Sequence, residues 1–172
     1  MKRLMIVDSR EKQKAIKKVL EQFDRANIKH VSSKLLFGDY MDYNIPSIVI
    51  DRKQTIAELA KNVTVEKDRF RREIDKAVDA GAHLVILVEE NRFKDRGEWK
   101  QVNNIADLLL WSSPYTQIRG EKVYRTLRYW IEHEKLPISV AFCDKRQTGR
   151  EILKIIYRGD FEPQEREENG EG

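Results

Sequence analysis

The chain has 172 residues, of which 36% are charged and 40% hydrophobic, with one cysteine, Cys143, and a formal net charge of +4. This length predicts one domain with an adequate core and a heavily ionised surface. A single cysteine excludes an intramolecular disulfide and a cysteine-based zinc cluster. Because no apolar run is long enough for a signal peptide or a membrane span, we expect an intracellular protein of the cytoplasm or nucleoid with no membrane partner.

Charge is distributed unevenly along the chain. Residues 160–172 contain six acids and one arginine, net −5, which leaves +9 on residues 1–159. We therefore predict a domain at residues 1–158 followed by an acidic, disordered tail at residues 159–172. The positive charge of residues 1–159 suits a polyanionic partner. The attraction between these residues and phosphates would depend on the salt concentration. Alternatively, these lysines and arginines merely solvate helix faces.

The first half of the chain predicts alternating strands and helices. Apolar periodicity and turn residues give, in chain order, a strand at Arg3–Asp8, a helix that Ser9 can cap, two or three strands within residues 28–51, and helices at Thr55–Asn62 and Val65–Ala80.

The second half continues the alternation. Its predicted elements are a near-continuous apolar strand at His83–Val88, a loop around Asn91–Gly97, helices at Val102–Trp111 and Glu121–Glu134, a strand at Pro137–Phe142, and a last helix at Thr148–Tyr157. Strands that alternate with helices, together with one early hairpin, predict an α/β fold with a mixed central sheet flanked by helices on both sides.

Three polar residues follow early strands at the points where these strands end. Asp39 comes after the apolar-rich stretch 31–37, and Asp51 and Lys53 follow the apolar run 48–50. Two carboxylates from neighbouring strands can hold a divalent cation, and Lys53, two residues after Asp51, points to the same face. A metal beside an ammonium group suits phosphodiester hydrolysis. The structural alternatives are a turn aspartate at Asp39 and a solvated strand end at the other two positions.

Five separated motifs keep a fixed order and spacing along the chain. They are VDSREK at 7–12, GDY at 38–40, IDRK at 50–53, KDRF at 67–70 and LVILVE at 84–89. In this register the chain resembles the nuclease domain of the XPF/Hef family of structure-specific endonucleases over roughly residues 3–158. Several motifs in register are more specific than any one of them.

The resemblance implies a restriction-endonuclease-like fold, Mg²⁺ or Mn²⁺, and cleavage of branched, flapped or forked DNA to give 5′-phosphate and 3′-hydroxyl ends. It implies metal binding by Asp39 and Asp51, a water-orienting or water-deprotonating role for Lys53, and contacts from Arg52 to phosphates or to the carboxylates themselves. The implied catalytic residues are Asp8, Arg10, Glu11, Asp39, Asp51, Arg52 and Lys53.

Two positions depart from the family pattern. Asp51 stands where the family usually has glutamate, so its reach is shorter by one methylene. Ala57 stands where the pattern has aspartate, and the adjacent Glu58 either substitutes for it or the role is lost. These departures leave open a non-catalytic DNA-binding or scaffold relative of the same family.

A receiver-like signalling domain that accepts a phosphoryl group is a further alternative. Such a domain also places aspartates after early strands, as Asp8 and Asp51 are placed, and a lysine after a late strand, as Lys145 is. Against this interpretation, Ser9 stands where receivers usually carry a second acid, and the Gly-Asp-Tyr motif at 38–40 is left unexplained.

Basic residues on two predicted helices are candidates for DNA contact. They are Arg69, Arg72, Arg119, Lys122 and Arg125. The later three and Arg128 are interleaved with Tyr124 and Tyr129, which suits phosphate contact and base stacking. The alternatives are a solvated helix face and, because relatives pair through this part of the domain, a dimer surface. We therefore expect DNA as a partner and either a homodimer or a complex with a partner subunit.

Overall fold

The computed structural model describes residues 2–161. In chain order its strands are β1 (Leu4–Asp8), β2 (Lys29–Ser33), β3 (Tyr40–Asp42), β4 (Ile45–Lys53), β5 (His83–Val88), β6 (Arg92–Asp95), β7 (Glu98–Gln101) and β8 (Ile138–Phe142). Six strands form one sheet in the order β2-β1-β3-β4-β5-β8, and β6 and β7 form a separate hairpin.

Helices follow four of these eight strands, β1, β4, β7 and β8. The α-helices are α1 (Gln13–Arg25), α2 (Ile56–Val63), α3 (Lys67–Asp79), α4 (Gly120–Arg128) and α5 (Thr148–Arg158). Two 3₁₀ helices lie at Ile105–Leu110 and Lys145–Gln147, and a π-helical turn at Tyr129–His133 continues α4. No helix within residues 2–161 combines the length and apolar composition needed to cross a bilayer.

The sheet is mixed because one strand runs against the others. β1 is parallel to β2, and β5 is parallel to both β4 and β8, whereas β3 is antiparallel to β1 and to β4. The carboxyl ends of β1, β4 and β5 therefore lie at one edge of the sheet, and so does the beginning of β3. This arrangement brings the polar residues that end these strands to a common place.

A hydrophobic core lies on each face of the sheet. Residues of α1 and α5 pack on one face, and residues of α2, α3 and α4 pack on the other. β5 serves both cores, since Leu84, Ile86 and Val88 face the second and Val85 and Leu87 face the first. All five are at most 1% exposed, and each such burial contributes about 1.5–3 kcal/mol. The near-continuous apolar run of this strand is thereby explained.

The mixed sheet with helices on both faces confirms the predicted fold class, but the predicted cap of the first helix is wrong. The helix α1 begins at Gln13, and its N-cap residue Lys12 makes no side-chain capping bond. Ser9 lies instead in the turn after β1, where its N–H donates to the carbonyl oxygen of Ser33 at 3.1 Å. A short turn therefore separates Ser9 from the helix.

Two segments of the second half also differ from prediction. The expected loop around Asn91–Gly97 belongs to the hairpin β6–β7. The expected helix at Val102–Trp111 is the shorter 3₁₀ helix, which begins with a capping box of Asn104 and Asp107. The predicted acidic tail lies outside the described residues except for residues 159–161, in which Gly159 ends α5 at φ +70°.

Candidate active site

Backbone hydrogen bonds hold Asp39 between two strands at the sheet edge. Its N–H donates to the carbonyl of Ile50 at 2.7 Å, and its carbonyl accepts from the N–H of Asp8 at 2.8 Å. The preceding Gly38 has φ +70°, and a Cβ there would lie 2.4 Å from Cγ1 of Val49. Glycine is therefore needed both for the backbone conformation and for the close approach to β4.

The carboxylates of Asp39 and Asp51 meet at this edge. One oxygen of Asp39 accepts from the backbone N–H of Arg52 at 2.8 Å. Burial, followed by the negative charges of Asp51 and Glu11, raises the pKa of Asp39 well above its ordinary value. Two ionised carboxylates this close repel each other unless a proton or a cation lies between them. The pair is therefore suited to binding a cation.

Lys53 presents its ammonium group beside this pair. Its side chain is 11% exposed, and Nζ lies 3.1 Å from Oδ2 of Asp51. The same nitrogen lies 5.0 Å from the ring centroid of Phe70 in α3, a cation–π contact. As predicted from the two-residue spacing, Asp51 and Lys53 share one face of β4. Their contacts fix the ammonium group at the carboxylate pair.

Arg52 points to the opposite face of β4 and binds carboxylates there. Its guanidinium donates to Glu11 at 2.6 Å and, through its other terminal nitrogen, to Glu89. Glu89 also accepts from the hydroxyl of Thr148 at 2.6 Å. All three charged side chains are only 7–8% exposed. Of the two roles implied for Arg52, the geometry supports the contact with carboxylates.

Glu89 is a site residue that the sequence reasoning did not select. It is the last residue of the LVILVE motif and follows β5 directly, so the motif itself carried the signal. Its N–H donates to the carbonyl of Lys53 at 2.8 Å, which extends the pairing of β4 with β5 to the site.

The buried Asp8 and the exposed Arg10 form an ion pair beside the candidate site. The Asp8 side chain is 3% exposed and accepts from Nε of Arg10 and from the N–H of Leu35, both at 2.8 Å. Arg10 also donates to the carbonyl of Leu35 at 2.9 Å. These bonds fix the segment that leads into Gly38.

Glu58, the suggested substitute for the missing aspartate, is engaged at the start of α2. Its N–H donates to the hydroxyl of Thr55 at 3.1 Å, and its carboxylate accepts from the N–H of Gln54 at 2.8 Å. This arrangement caps the helix. Ala57 packs against the hydrophobic core on the same side of the sheet.

One cleft of about 400 Å³ unites these residues. All seven predicted catalytic residues border it, together with Glu58, Asn62 and Arg69. Oδ1 of Asn62 is buried and has no hydrogen-bond partner among the described residues. The structure therefore brings the predicted catalytic set together around one volume.

The donor set of the cleft fits Mg²⁺ or Mn²⁺. Asp39 and Asp51 supply carboxylate oxygens, which these cations prefer. Within residues 2–161, no three His, Cys, Asp or Glu side chains converge into a ready-made ligand cluster. Mg²⁺ commonly keeps several waters and takes only one or two protein carboxylates plus substrate phosphate oxygens. Two aspartates are therefore a sufficient protein contribution.

The five predicted DNA-contact residues border a series of connected clefts that begins at the candidate site. Arg69 lines the catalytic cleft and also a neighbouring one, which Arg72 lines as well. That neighbour shares residues 64–65 with a third cleft, whose basic lining residues are Arg119, Lys122 and Arg125. A line of clefts thus runs from the carboxylate pair to α4. We call it the basic track.

The fold and the site together define a restriction-endonuclease-like nuclease domain. The ERCC4 domain matches residues 7–154, and the chain belongs to this family. This result confirms the resemblance to XPF-type nuclease domains and disfavours a receiver-like domain.

Solved structures show the same fold. XPF from Aeropyrum pernix matches with a TM-score of 0.62 and 17% identity, over 91% of this chain and 64% of that one. XPF from Aeropyrum pernix in complex with DNA matches with a TM-score of 0.63 and 16% identity over the same shares. The present chain therefore spans 64% of the length of these structures. No curated protein sequence matches the chain.

Proposed function

We propose that this protein is a Mg²⁺- or Mn²⁺-dependent endonuclease that hydrolyses DNA phosphodiester bonds at branched, flapped or forked structures. The observation that carries the proposal is the meeting of Asp39, Asp51 and Lys53 in one cleft at the sheet edge. Membership of the ERCC4 domain family and the fold shared with an XPF–DNA complex support it. A DNA substrate also favours a place in the cytoplasm or nucleoid.

In this proposal Asp39 and Asp51 bind the metal, and Lys53 acts on the attacking water or on the phosphate. When bound to Asp39 and Asp51, the metal would polarise the phosphate and acidify a water molecule. Lys53, fixed by Asp51 and Phe70, orients the attacking water or stabilises the charge that develops on the phosphate. The water oxygen bonds to phosphorus, and the bond between phosphorus and the 3′ oxygen breaks. The products are a 5′-phosphate and a 3′-hydroxyl.

The remaining predicted residues act indirectly. Arg52 fixes Glu11 and Glu89, and its backbone N–H donates to Asp39. Asp8 and Arg10 brace the segment before Asp39. We therefore assign these side chains as positioning residues whose loss would disturb the carboxylate pair.

The basic track is the proposed binding surface for duplex DNA. Its five residues continue from the catalytic cleft over α3 to α4. Arginine and lysine along such a track would contact successive phosphates without reading sequence.

We also propose a homodimer or a partner-bound form. A further cleft beside α4 is lined by Leu109, Tyr124 and Tyr129 together with charged residues, and Leu109 and Tyr129 are 46% and 51% exposed. Exposed apolar and aromatic side chains of this kind suit a protein interface. A monomeric mass by light scattering at micromolar concentration would count against the homodimer.

The decisive experiment compares cleavage of labelled flap, fork, nicked and plain duplex DNA with Mg²⁺, Mn²⁺ or EDTA. Metal-dependent cutting near the junction is expected, with a loss of at least about 100-fold in Asp39→Asn, Asp51→Asn and Lys53→Met. Lys17→Ala, which alters an exposed residue of α1, is the matched control and should cleave DNA at the normal rate.

Two outcomes would contradict the assignment. Undiminished metal-dependent cutting by pure Asp39→Asn would exclude this carboxylate as an essential ligand. Junction binding without cutting by the unaltered protein would favour the non-catalytic scaffold, to which the Asp51 and Ala57 departures also point.

A further inference from the structure

The hairpin β6–β7 exposes a tryptophan among basic side chains. Trp99 is 56% exposed and pairs across the strands with Lys94. The guanidinium carbon of Arg92 lies 4.4 Å from its ring centroid, and Nζ of Lys94 lies 5.1 Å from it. The two cations therefore hold the indole in place while leaving more than half of its surface open.

The core of the protein does not account for Trp99. The hairpin anchors itself through Phe93, which points the other way, is 9% exposed and belongs to a hydrophobic core. The other two tryptophans, Trp111 and Trp130, are 4% and 2% exposed. The contacts with Arg92 and Lys94 use only part of the indole, and the exposed remainder packs against neither hydrophobic core.

The hairpin stands directly beside the proposed catalytic cleft. It follows β5 and Glu89, whose N–H donates to the carbonyl of Lys53. Trp99 and Arg92 line a second cleft of about 670 Å³, and this cleft shares Arg52 and Gln54 with the catalytic one. A chain leaving the carboxylate pair on this side would meet the indole next.

The charge of the second cleft favours an anion. Its basic lining residues are Arg52, Arg92, Lys145 and Arg146. Glu89 binds Arg52 and Thr148, Asp144 binds Arg146, and Glu90 accepts from the N–H of Ile56 at the start of α2. Because Arg52 and Arg146 are thereby paired with acids, the cations that remain for an anion are Arg92 and Lys145.

We propose that Trp99 and its two cations form a stacking site for an unpaired base of single-stranded DNA that leaves the cleavage position. The inference rests on the proposed nuclease function and deepens it by assigning a site for the unpaired arm. Aromatic stacking binds bases of any sequence, and the flanking cations meet the backbone phosphates. A protein partner fits less well, because lysine is depleted where protein interfaces bury their centres.

Binding in EDTA tests the site without cleavage. The probes are a single-stranded oligothymidylate of about 15 nucleotides and an abasic oligonucleotide of the same length, which keeps the phosphates and lacks the bases. The oligothymidylate should quench tryptophan emission, mainly from Trp99 because the other two indoles are buried. Trp99→Ala should weaken its binding about tenfold, Trp99→Phe by less than about threefold, and binding of the abasic strand should not change.

Control variants and measurements separate the possible results. Tyr115→Ala removes a more exposed aromatic, 85% exposed, that lines neither cleft, and it should bind like the unaltered protein. Circular dichroism and the melting temperature check that Trp99→Ala is folded.

Several outcomes would overturn the inference. Unchanged oligothymidylate binding by Trp99→Ala would do so, and so would an equal loss for the abasic strand, which would make Trp99 a brace for phosphate contacts. A lower molecular mass of Trp99→Ala by light scattering, with DNA binding intact, would identify a protein interface instead. If any of these results accompanied normal metal-dependent cleavage, the inference would fail and the nuclease assignment would stand.

Discussion

Arg52 carries one positive charge between two buried carboxylates. Glu11 and Glu89 each bind one terminal nitrogen of the guanidinium, and Nε has no partner among the described residues. Because these side chains are buried, removal of the guanidinium leaves two uncompensated negative charges. This removal costs more free energy of unfolding than the ion pairs contribute. The arrangement therefore ties the stability of the fold to a residue next to the reacting groups.

Arg52→Met should destabilise the protein by about 3–5 kcal/mol, as measured by urea unfolding monitored by circular dichroism. The variant with Glu11→Gln and Glu89→Gln added should recover part of that loss, since the buried negative charges are then absent. A cost below about 1 kcal/mol for Arg52→Met alone would show that water reaches these carboxylates and solvates them.

Most of the candidate site could be predicted at this scale. Asp51 and Lys53 lie at the carboxyl end of β4, as predicted, whereas Asp39 directly precedes β3 and does not end the strand predicted before it, because β2 stops at Ser33. Their meeting was still inferable, because strand ends are where a sheet gathers polar groups. The opposite orientation of Arg52 was also inferable, because alternate residues of a strand face opposite ways. That its partners would be Glu11 and Glu89 was not, because this depends on how α1 and β5 pack together.

The contact between α4 and the 3₁₀ helix at Ile105–Leu110 depends on the absence of a side chain at one position. A Cβ at Gly120 would lie 1.6 Å from the carbonyl oxygen of Leu108 and 2.8 Å from that of Trp111. The N–H of Gly120 donates to the same Trp111 carbonyl at 2.7 Å. Two backbones therefore touch here, and α4 carries part of the basic track.

Gly120→Ala should lower the free energy of unfolding by about 1–3 kcal/mol or more, because the backbones must separate and the hydrogen bond must lengthen. Thermal unfolding is the measurement. The control is Gly81→Asn, where φ is +66° and a Cβ would meet nothing within 4 Å; asparagine tolerates that conformation. Equal losses in both variants would mean that glycine is needed at Gly120 for reasons other than close packing.

Long amphipathic elements were predictable and short polar ones were not. The periodic helices appear within a few residues of their predicted bounds, since their apolar faces cover the sheet. The hairpin at Arg92–Gln101 was read in part as loop because its outer face is charged and only Phe93 anchors it. The 3₁₀ helix at Ile105–Leu110 has too few residues for its periodicity to separate it from an α-helix.

At the scale of the whole molecule, clefts with more basic than acidic lining residues flank the acidic catalytic cleft. The basic track leads from the catalytic cleft to α4, and the second cleft with Trp99 adjoins it on the other side. The net charge of +9 on residues 1–159 is thus accompanied by a spatial arrangement that suits a long polyanion. The order of strands that creates these clefts could not be predicted from the sequence, because the pairing of β1 with β3 joins residues far apart in the chain.

DNA affinity should fall linearly with salt on logarithmic axes, with a slope set by the number of phosphates contacted. Lys122→Ala and Arg72→Ala should each reduce the magnitude of that slope by about 1, whereas Lys17→Ala on α1 should leave it unchanged. Fluorescence anisotropy of a labelled duplex in EDTA provides the measurement. Equal effects of all three substitutions would indicate a diffuse attraction to the whole surface.

The position of Asp51 within the sheet links the candidate metal site to global unfolding. Asp51 lies in β4 opposite Ile86 of β5, a strand with neighbours on both sides and side chains buried on both faces. Amides in such strands exchange with solvent only when the entire domain opens. A cation bound there would consequently stabilise the whole fold by mass action rather than order a local segment. The carboxylate pair exists only as long as the domain is folded.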